Sequence, residues 1–160
     1  DQKGFDMAIK AAKIMKEQKK AFKWFVIGTG ELKEELTKQI QAADVADCFI
    51  LLGARENPYP YIKNCTVFIQ PSRYEGKSVV LDEAKILAVP IVAPAYPTVG
   101  DQLQDKVEGM VVPMNPEGIA QGLTAMLEDE KMGETYTNYL SGREYGNQDE
   151  IKKYMELMDD

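Results

Sequence analysis

Five short runs in this chain are apolar from end to end, and helix-periodic segments separate them. The runs are residues 24–28 (WFVIG), 48–52 (CFILL), 66–70 (TVFIQ), 90–93 (PIVA) and 110–112 (MVV). A strand with one solvated face alternates polar and apolar residues; a run without alternation is a strand covered on both faces. Between the runs, apolar residues return every three or four positions. Phe5, Ala8, Ile9, Ala12 and Met15 mark a first amphipathic helix, and Leu32, Leu36 and Ile40 mark a second. A Pro-rich stretch at Pro58 and Pro60 leads a short helix to Asn64, and Val80, Leu81, Ala84, Leu87 and Ala88 share one helical face. Asn115-Pro116 supplies an N-cap and a first-turn proline for a helix bearing Ile119, Leu123, Met126 and Leu127. Ile151, Tyr154, Met155 and Met158 predict a tail helix over 148–158.

Strands regularly alternating with helices are joined by right-handed parallel crossovers, which predicts an α/β fold: one Rossmann-like, doubly wound parallel sheet over residues 1–160. The chain's 160 residues suffice for a core without metal or disulfide. Cys48 and Cys65, beside apolar runs, are expected as buried free thiols. The sequence has no histidine, which excludes a His-based acid/base relay and argues against zinc ligation within it. Carboxylates, hydroxyls or backbone amides must carry any catalysis. A net charge of −7 argues against nucleic acid as a partner. No apolar run reaches the length of a membrane span and no signal peptide opens the chain, so the expected location is cytoplasmic. Residues 1–40 carry nine basic and six acidic side chains, a surplus that fits a solvated helix face or an anionic surface.

Doubly wound sheets bind ligands beyond the carboxyl ends of their strands, so the loops after the runs are where chemistry is expected. Gly28-Thr29-Gly30 is one such loop. A dinucleotide fingerprint would place a third glycine where Lys33 stands, so these glycines read equally as a tight turn or as a contact to an anion. The loop 71–78 is more informative. It joins a strand end to a helix start, and the amides of Gly76, Lys77, Ser78 and Val79 would lie free at the positive end of that helix, where a phosphate can be held. Gly76 allows unusual backbone angles there, and Lys77 adds a cation. Glu83, more than a turn into the helix, could accept hydrogen bonds from a diol or pair with Lys63 or Lys85. Glu75 would face the crevice or simply be solvated.

The run from Ser72 to Ala84 (SRYEGKSVVLDEA), followed by Val89-Pro90-Ile91-Val92, resembles the signature of glycosyltransferase family 4, the group 1 retaining enzymes of GT-B architecture. Seven residues separate Glu75 from Glu83, as in that family's paired-glutamate motif. Lys3-Gly4-Phe5-Asp6, Ile27-Gly28-Thr29-Gly30-Glu31-Leu32, Gly109-Met110-Val111-Val112-Pro113 and Pro116-Glu117-Gly118-Ile119-Ala120 extend the likeness over almost the whole chain. The resemblance implies that Lys3 and the amides of Gly76 to Val79 contact a donor diphosphate, and that Glu83 holds ribose hydroxyls. It also implies that Glu75 is the catalytic carboxylate facing the transferred sugar and that Arg55 lies near the nucleobase. Lys77 and Ser78 stand where many relatives carry an aromatic residue and a glycine.

The resemblance further implies a UDP-sugar or other nucleoside-diphosphate sugar as donor, no cofactor and no metal. It implies an acceptor-binding N-terminal domain in cis that this chain lacks, and a first strand that would precede Lys3. The tail helix is expected to pack toward that domain and to expose part of its apolar face. In the intact parent, sugar transfer to an acceptor hydroxyl in surface polysaccharide or glycolipid synthesis is expected, with peripheral membrane contact left open. The alternative is a noncatalytic nucleotide- or phosphate-binding module using the same helix start.

Overall fold

Helix α1 (Phe5–Glu17) can begin where it does because Gly4 adopts a φ of 65°, in the left-handed region that side chains resist. A Cβ at Gly4 would also fall inside the Pro71 carbonyl, so the start of α1 lies directly against the loop 71–78. The computed structural model describes residues 2–145 together with 151, 152, 155 and 156. After α1 come strand β1 (Trp24–Ile27), helix α2 (Lys33–Ala42), strand β2 (Phe49–Gly53), the short helix α3 (Tyr59–Lys63) and strand β3 (Phe68–Ile69). Helix α4 (Val79–Ile86), strand β4 (Ile91–Pro94), strand β5 (Gly109–Val112), helix α5 (Pro116–Glu128) and helix α6 (Glu130–Ser141) follow. Asn115 caps α5, its Oδ1 accepting the Gly118 amide at 2.7 Å.

Every strand pairing is parallel, as expected for an α/β fold, but the strands form two ladders rather than one continuous sheet. β1 pairs with β2, and β4 stands between β3 and β5. Among the described residues, one edge of β1 and one edge of β3 therefore carry no partner strand.

Burial on both faces holds fully for β4 alone, in which every residue is buried. Its side chains divide by parity: Val92 joins a core with α1, β1, β2, α5 and α6, while Ile91 and Ala93 join a second core with α3 and α4. β1 departs from the expectation, because Phe25 is 53% exposed while its neighbour Trp24 packs against Phe49 with ring centroids 5.1 Å apart.

The tail is described only in part. Ile151 is buried against the α3–α4 core and Met155 packs on it, so these apolar side chains face this domain; Lys152 and Glu156 are helical and exposed. Tyr154 and Met158, and the rest of 148–158, lie outside the described residues. Cys48 is buried and Cys65 half-buried, both free, and burial pushes the Cys65 thiol up to about 11. Among the described residues no helix is long and apolar enough to cross a membrane.

Gly4→Ala adds left-handed strain of about 1–2 kcal/mol to a clash with a backbone carbonyl that cannot rotate away. The variant is expected to lose more than about 2 kcal/mol of unfolding free energy in urea, whereas Gly76→Ala, where a Cβ meets nothing within 4 Å, loses far less.

Candidate functional site

The loop 71–78 is fastened to the beginning of the chain. Arg73 grips Asp6, in the first turn of α1, through two parallel bonds of 2.7 and 2.6 Å, the fork geometry that makes guanidinium–carboxylate pairs strong. The Arg73 amide donates to the Gln2 carbonyl at 2.9 Å, and Gln2 Nε2 donates to the Tyr74 carbonyl at 3.2 Å. With Gly4 against Pro71, these bonds leave residues 2–6 and 71–75 little freedom to separate. Arg73 holds the Asp6 carboxyl below its usual range against the opposing effect of partial burial.

This clamp brings Lys3 to Glu75, two residues 72 positions apart in sequence: Lys3 Nζ lies 2.7 Å from Glu75 Oε1. The same oxygen accepts from Ser72 Oγ at 2.7 Å, and Thr98 Oγ1 donates to the Glu75 carbonyl at 2.7 Å. Glu75 is thus not a solvated loop residue; its side chain is only 8% exposed. Burial alone would raise its pKa, but Lys3, Ser72 and the neighbouring Gln70 amide outweigh burial and hold the carboxyl below its ordinary value. It stands oriented and largely desolvated in the loop that follows the edge strand β3.

The start of α4 differs from expectation in two ways. Ser78 does not offer a free amide: its N–H donates to Gln102 Oε1 at 2.9 Å, while Gln102 Nε2 reaches the Ser78 carbonyl at 3.3 Å. Gln102 therefore caps the helix from a distant loop, a role the Ser78 side chain does not fill. Ser78 is buried, and its Oγ donates to Gln70 Oε1 at 2.6 Å. Gly76, for its part, is not in the left-handed region. Lys77 and Val79 are exposed beside it.

Glu83, on α4, accepts from Tyr59 Oη at 3.1 Å. It pairs with neither candidate lysine: Lys63 donates to the Leu87 carbonyl at 3.1 Å, and Lys85 forms a buried pair with Glu108 at 3.0 Å. Burial raises the Glu83 pKa, with Asp82 adding to the rise and the Tyr59 bond opposing it. Arg55, exposed after β2, donates from Nε to Tyr61 Oη at 3.1 Å. Helix α3 thus carries both the residue that orients Glu83 and the one that orients Arg55. Gly28, with a φ of 135°, donates to the Gly53 carbonyl at 2.9 Å and joins the tips of β1 and β2. Gly30 is exposed beyond it. Gly28 extends the β1–β2 ladder, whereas Lys3, Glu75 and Ser78 lie beyond the end of β3 and Glu83 meets Tyr59 further along α4.

Sequence reasoning assigned no role to Gln70, Ser72, Thr98, Gln102 or Tyr59. Ser72 sat in the quoted loop signature and Gln70 in the run 66–70, but Gln70, Thr98, Gln102 and Tyr59 meet their partners across 8 to 24 positions, which no local pattern encodes. Among the described residues no three His, Cys, Asp or Glu side chains gather as a metal would require.

The model of the family described as glycosyl transferases group 1 matches residues 1–142. The chain belongs to that family. It is 32% identical over 142 residues to the amylovoran biosynthesis glycosyltransferase AmsK of Erwinia amylovora, covering 84% of this chain and 34% of that protein. The chain spans about a third of the length of the curated relatives it matches. Among solved structures, a TarM variant of S. aureus in complex with fondaparinux, α-GlcNAc-glycerol and UDP superposes with a TM-score of 0.84 at 19% identity, over all of this chain and 34% of that one. The C-terminal domain of a group 1 glycosyl transferase, LpcC of Francisella tularensis, superposes with a TM-score of 0.71 at 24% identity, over 87% of this chain and 76% of that one. The expected half of a GT-B fold is the fold observed.

Asp6 and Glu75 both have lowered folded-state pKa values, so their stabilisation is complete above their unfolded values and disappears as pH falls through the folded ones. Urea unfolding across the acid range is expected to show stability falling below about pH 4, with a shallower decline in Asp6→Asn.

Proposed function

We propose that this chain is the donor-binding half of a two-domain retaining glycosyltransferase. The parent would transfer a sugar from a nucleoside-diphosphate sugar to an acceptor hydroxyl in polysaccharide or glycolipid synthesis. The observation that carries the reading is the meeting of Lys3 with Glu75 beside the start of α4, where Ser78 bonds to Gln70 at the end of β3, the position where parallel sheets take ligands. Family membership and UDP in the TarM structure support it.

In this reading the diphosphate sits against the amides of Gly76, Lys77 and Val79. Lys3 and Lys77 supply positive charge, and the α4 dipole points the same way. Bond cleavage at the sugar leaves negative charge on the diphosphate, and these fixed donors stabilise it without requiring a metal. Glu75 faces the sugar, Glu83 accepts from the ribose hydroxyls, and Arg55 lies toward the base. Tyr59 keeps one Glu83 oxygen oriented, and the raised pKa of Glu83 fits a carboxylate already desolvated in readiness for a diol.

The acceptor would bind an N-terminal domain that faces this edge of the sheet, so the chain by itself binds donor and transfers nothing. We further propose that a strand preceding Lys3 in the parent lies between β1 and β3. The unpaired edges of those two strands support that placement.

Calorimetric titration of the chain with UDP and with inorganic pyrophosphate separates the roles. Glu83→Ala is expected to weaken UDP roughly 10- to 150-fold, the equivalent of about 1.5–3 kcal/mol for a hydrogen-bonded charge, and to leave pyrophosphate nearly unchanged. Lys3→Ala is expected to weaken both. Equal losses for the two ligands in Glu83→Ala would remove the ribose role, and absence of binding by either ligand to the unmodified chain would remove the donor-site reading.

A further inference from the structure

The connection between β4 and β5 makes one short 3-10 turn, Val99–Asp101, flanked by Thr98 and Gln102. Val99 and Leu103 are buried in the core shared with α3 and α4, so the turn is seated firmly on the domain. Each flanking side chain reaches the loop 71–78. Thr98 Oγ1 donates to the Glu75 carbonyl at 2.7 Å. Gln102 spans Ser78: its Oε1 accepts the Ser78 N–H at 2.9 Å, and its Nε2 donates to the Ser78 carbonyl at 3.3 Å. A side-chain amide carries a donor and an acceptor on one carbon, so it can serve both backbone groups of a single extended residue. Ser78 is such a residue, with a φ of −89° and a ψ of 104°.

Gln102 is itself held from behind. Its backbone carbonyl accepts from Lys85 Nζ, the Lys85 ammonium pairs with Glu108 Oε2 at 3.0 Å, and that oxygen accepts the Gln104 amide at 2.9 Å. The two charged side chains are 8% and 12% exposed, so solvent ions screen their attraction little. Ser78 Oγ, bonded to Gln70 Oε1 at 2.6 Å, ties the same residue to the end of β3. Glu75 and Ser78 are therefore two anchored feet, with Gly76 and Lys77 arched between them. Gly76, Lys77 and Val79 are exposed, while Ser78 is buried with its amide engaged inside the protein. A ligand at the head of α4 would meet the three exposed residues and not Ser78.

We propose that Thr98 and Gln102 are positioning residues: from outside the loop they pin the two feet of the Gly76–Lys77 arch and hold its backbone in the shape that receives a diphosphate. The inference rests on the reading that a diphosphate sits at the head of α4. Neither side chain has to touch that ligand. The arch is only two residues long, so displacing either foot moves the amides of both. Donors held in place before an anion arrives bind it more tightly than donors that must first be ordered.

The test is calorimetric titration with inorganic pyrophosphate and with UDP of the unmodified chain, Thr98→Val and Gln102→Met, substitutions that keep side-chain volume and remove the hydrogen bonds. Each variant is expected to weaken both ligands by the same factor, roughly fivefold or more, whereas Glu83→Ala spares pyrophosphate. Amide hydrogen exchange, read without ligand, is expected to speed up at Ser78 in Gln102→Met at least about tenfold more than at the amides of β4. It is expected to slow again in Gln102→Glu, which keeps the acceptor for the Ser78 N–H. A role confined to packing would lower stability in urea and leave both affinities in place. Unchanged pyrophosphate affinity in either variant, a loss confined to UDP, or an unchanged Ser78 exchange rate overturns the proposal. Should Gln102→Met not fold, Thr98→Val decides by the same two affinities. If the unmodified chain binds neither ligand, the donor-site reading falls and takes this inference with it; binding that the variants leave intact removes this inference alone.

Discussion

The site depends on one clamp, the two-pronged bond between Arg73 and Asp6, reinforced where Gly4 meets the Pro71 carbonyl. A loop at a strand end is ordinarily among the more mobile parts of an α/β domain. Here its backbone is bonded to Gln2 and its arginine to the first turn of α1, so it inherits the rigidity of a helix packed on the main core. Lys3 can meet Glu75 only because this clamp holds, and Glu75 in turn is buried only because Ser72 and Lys3 satisfy it. Each contact would be modest on a free surface; arranged in series on a fixed frame, they set the charge, orientation and desolvation of a single carboxylate.

The second organising element is α3. Five residues long, it is too short to matter for the core on its own, yet Tyr59 and Tyr61 reach in different directions, to Glu83 and Arg55. The Pro-rich entry at Pro58 and Pro60 fixes the helix start with little loss of chain entropy. The loop after β2 and the body of α4 are thereby linked through two phenol hydroxyls.

Much of this was legible in the residues. The apolar runs located β1, β2, β4 and β5 to within a residue or two, and Asn115-Pro116 marked the start of α5, because strand burial and helix capping are local properties. Three features were less legible. The run at 66–70 pairs only over Phe68–Ile69, since the length of β3 is set by its overlap with β4. The split into two ladders depends on which edges find partners, which composition cannot reveal. Helix α6 went unnoticed because only Asp129 separates it from α5: the side chain of that residue caps α6 by accepting the Met132 amide at 3.0 Å, and no loop-like stretch announces the turn. In the site, Glu75 and Glu83 were visible as a motif, whereas Gln102 was not. A glutamine that caps a helix 24 positions earlier leaves no trace in its own neighbourhood.

The pairing of Lys3 with Glu75 has an electrostatic corollary for any anion that arrives. The lysine is not an idle positive charge awaiting a guest, because a carboxylate already lies 2.7 Å from it. In the donor-site reading proposed above, an incoming polyanion would share the ammonium group with Glu75 and so weaken that ion pair. On that reading, filling the place beside Lys3 would change the hydrogen bonding open to Glu75.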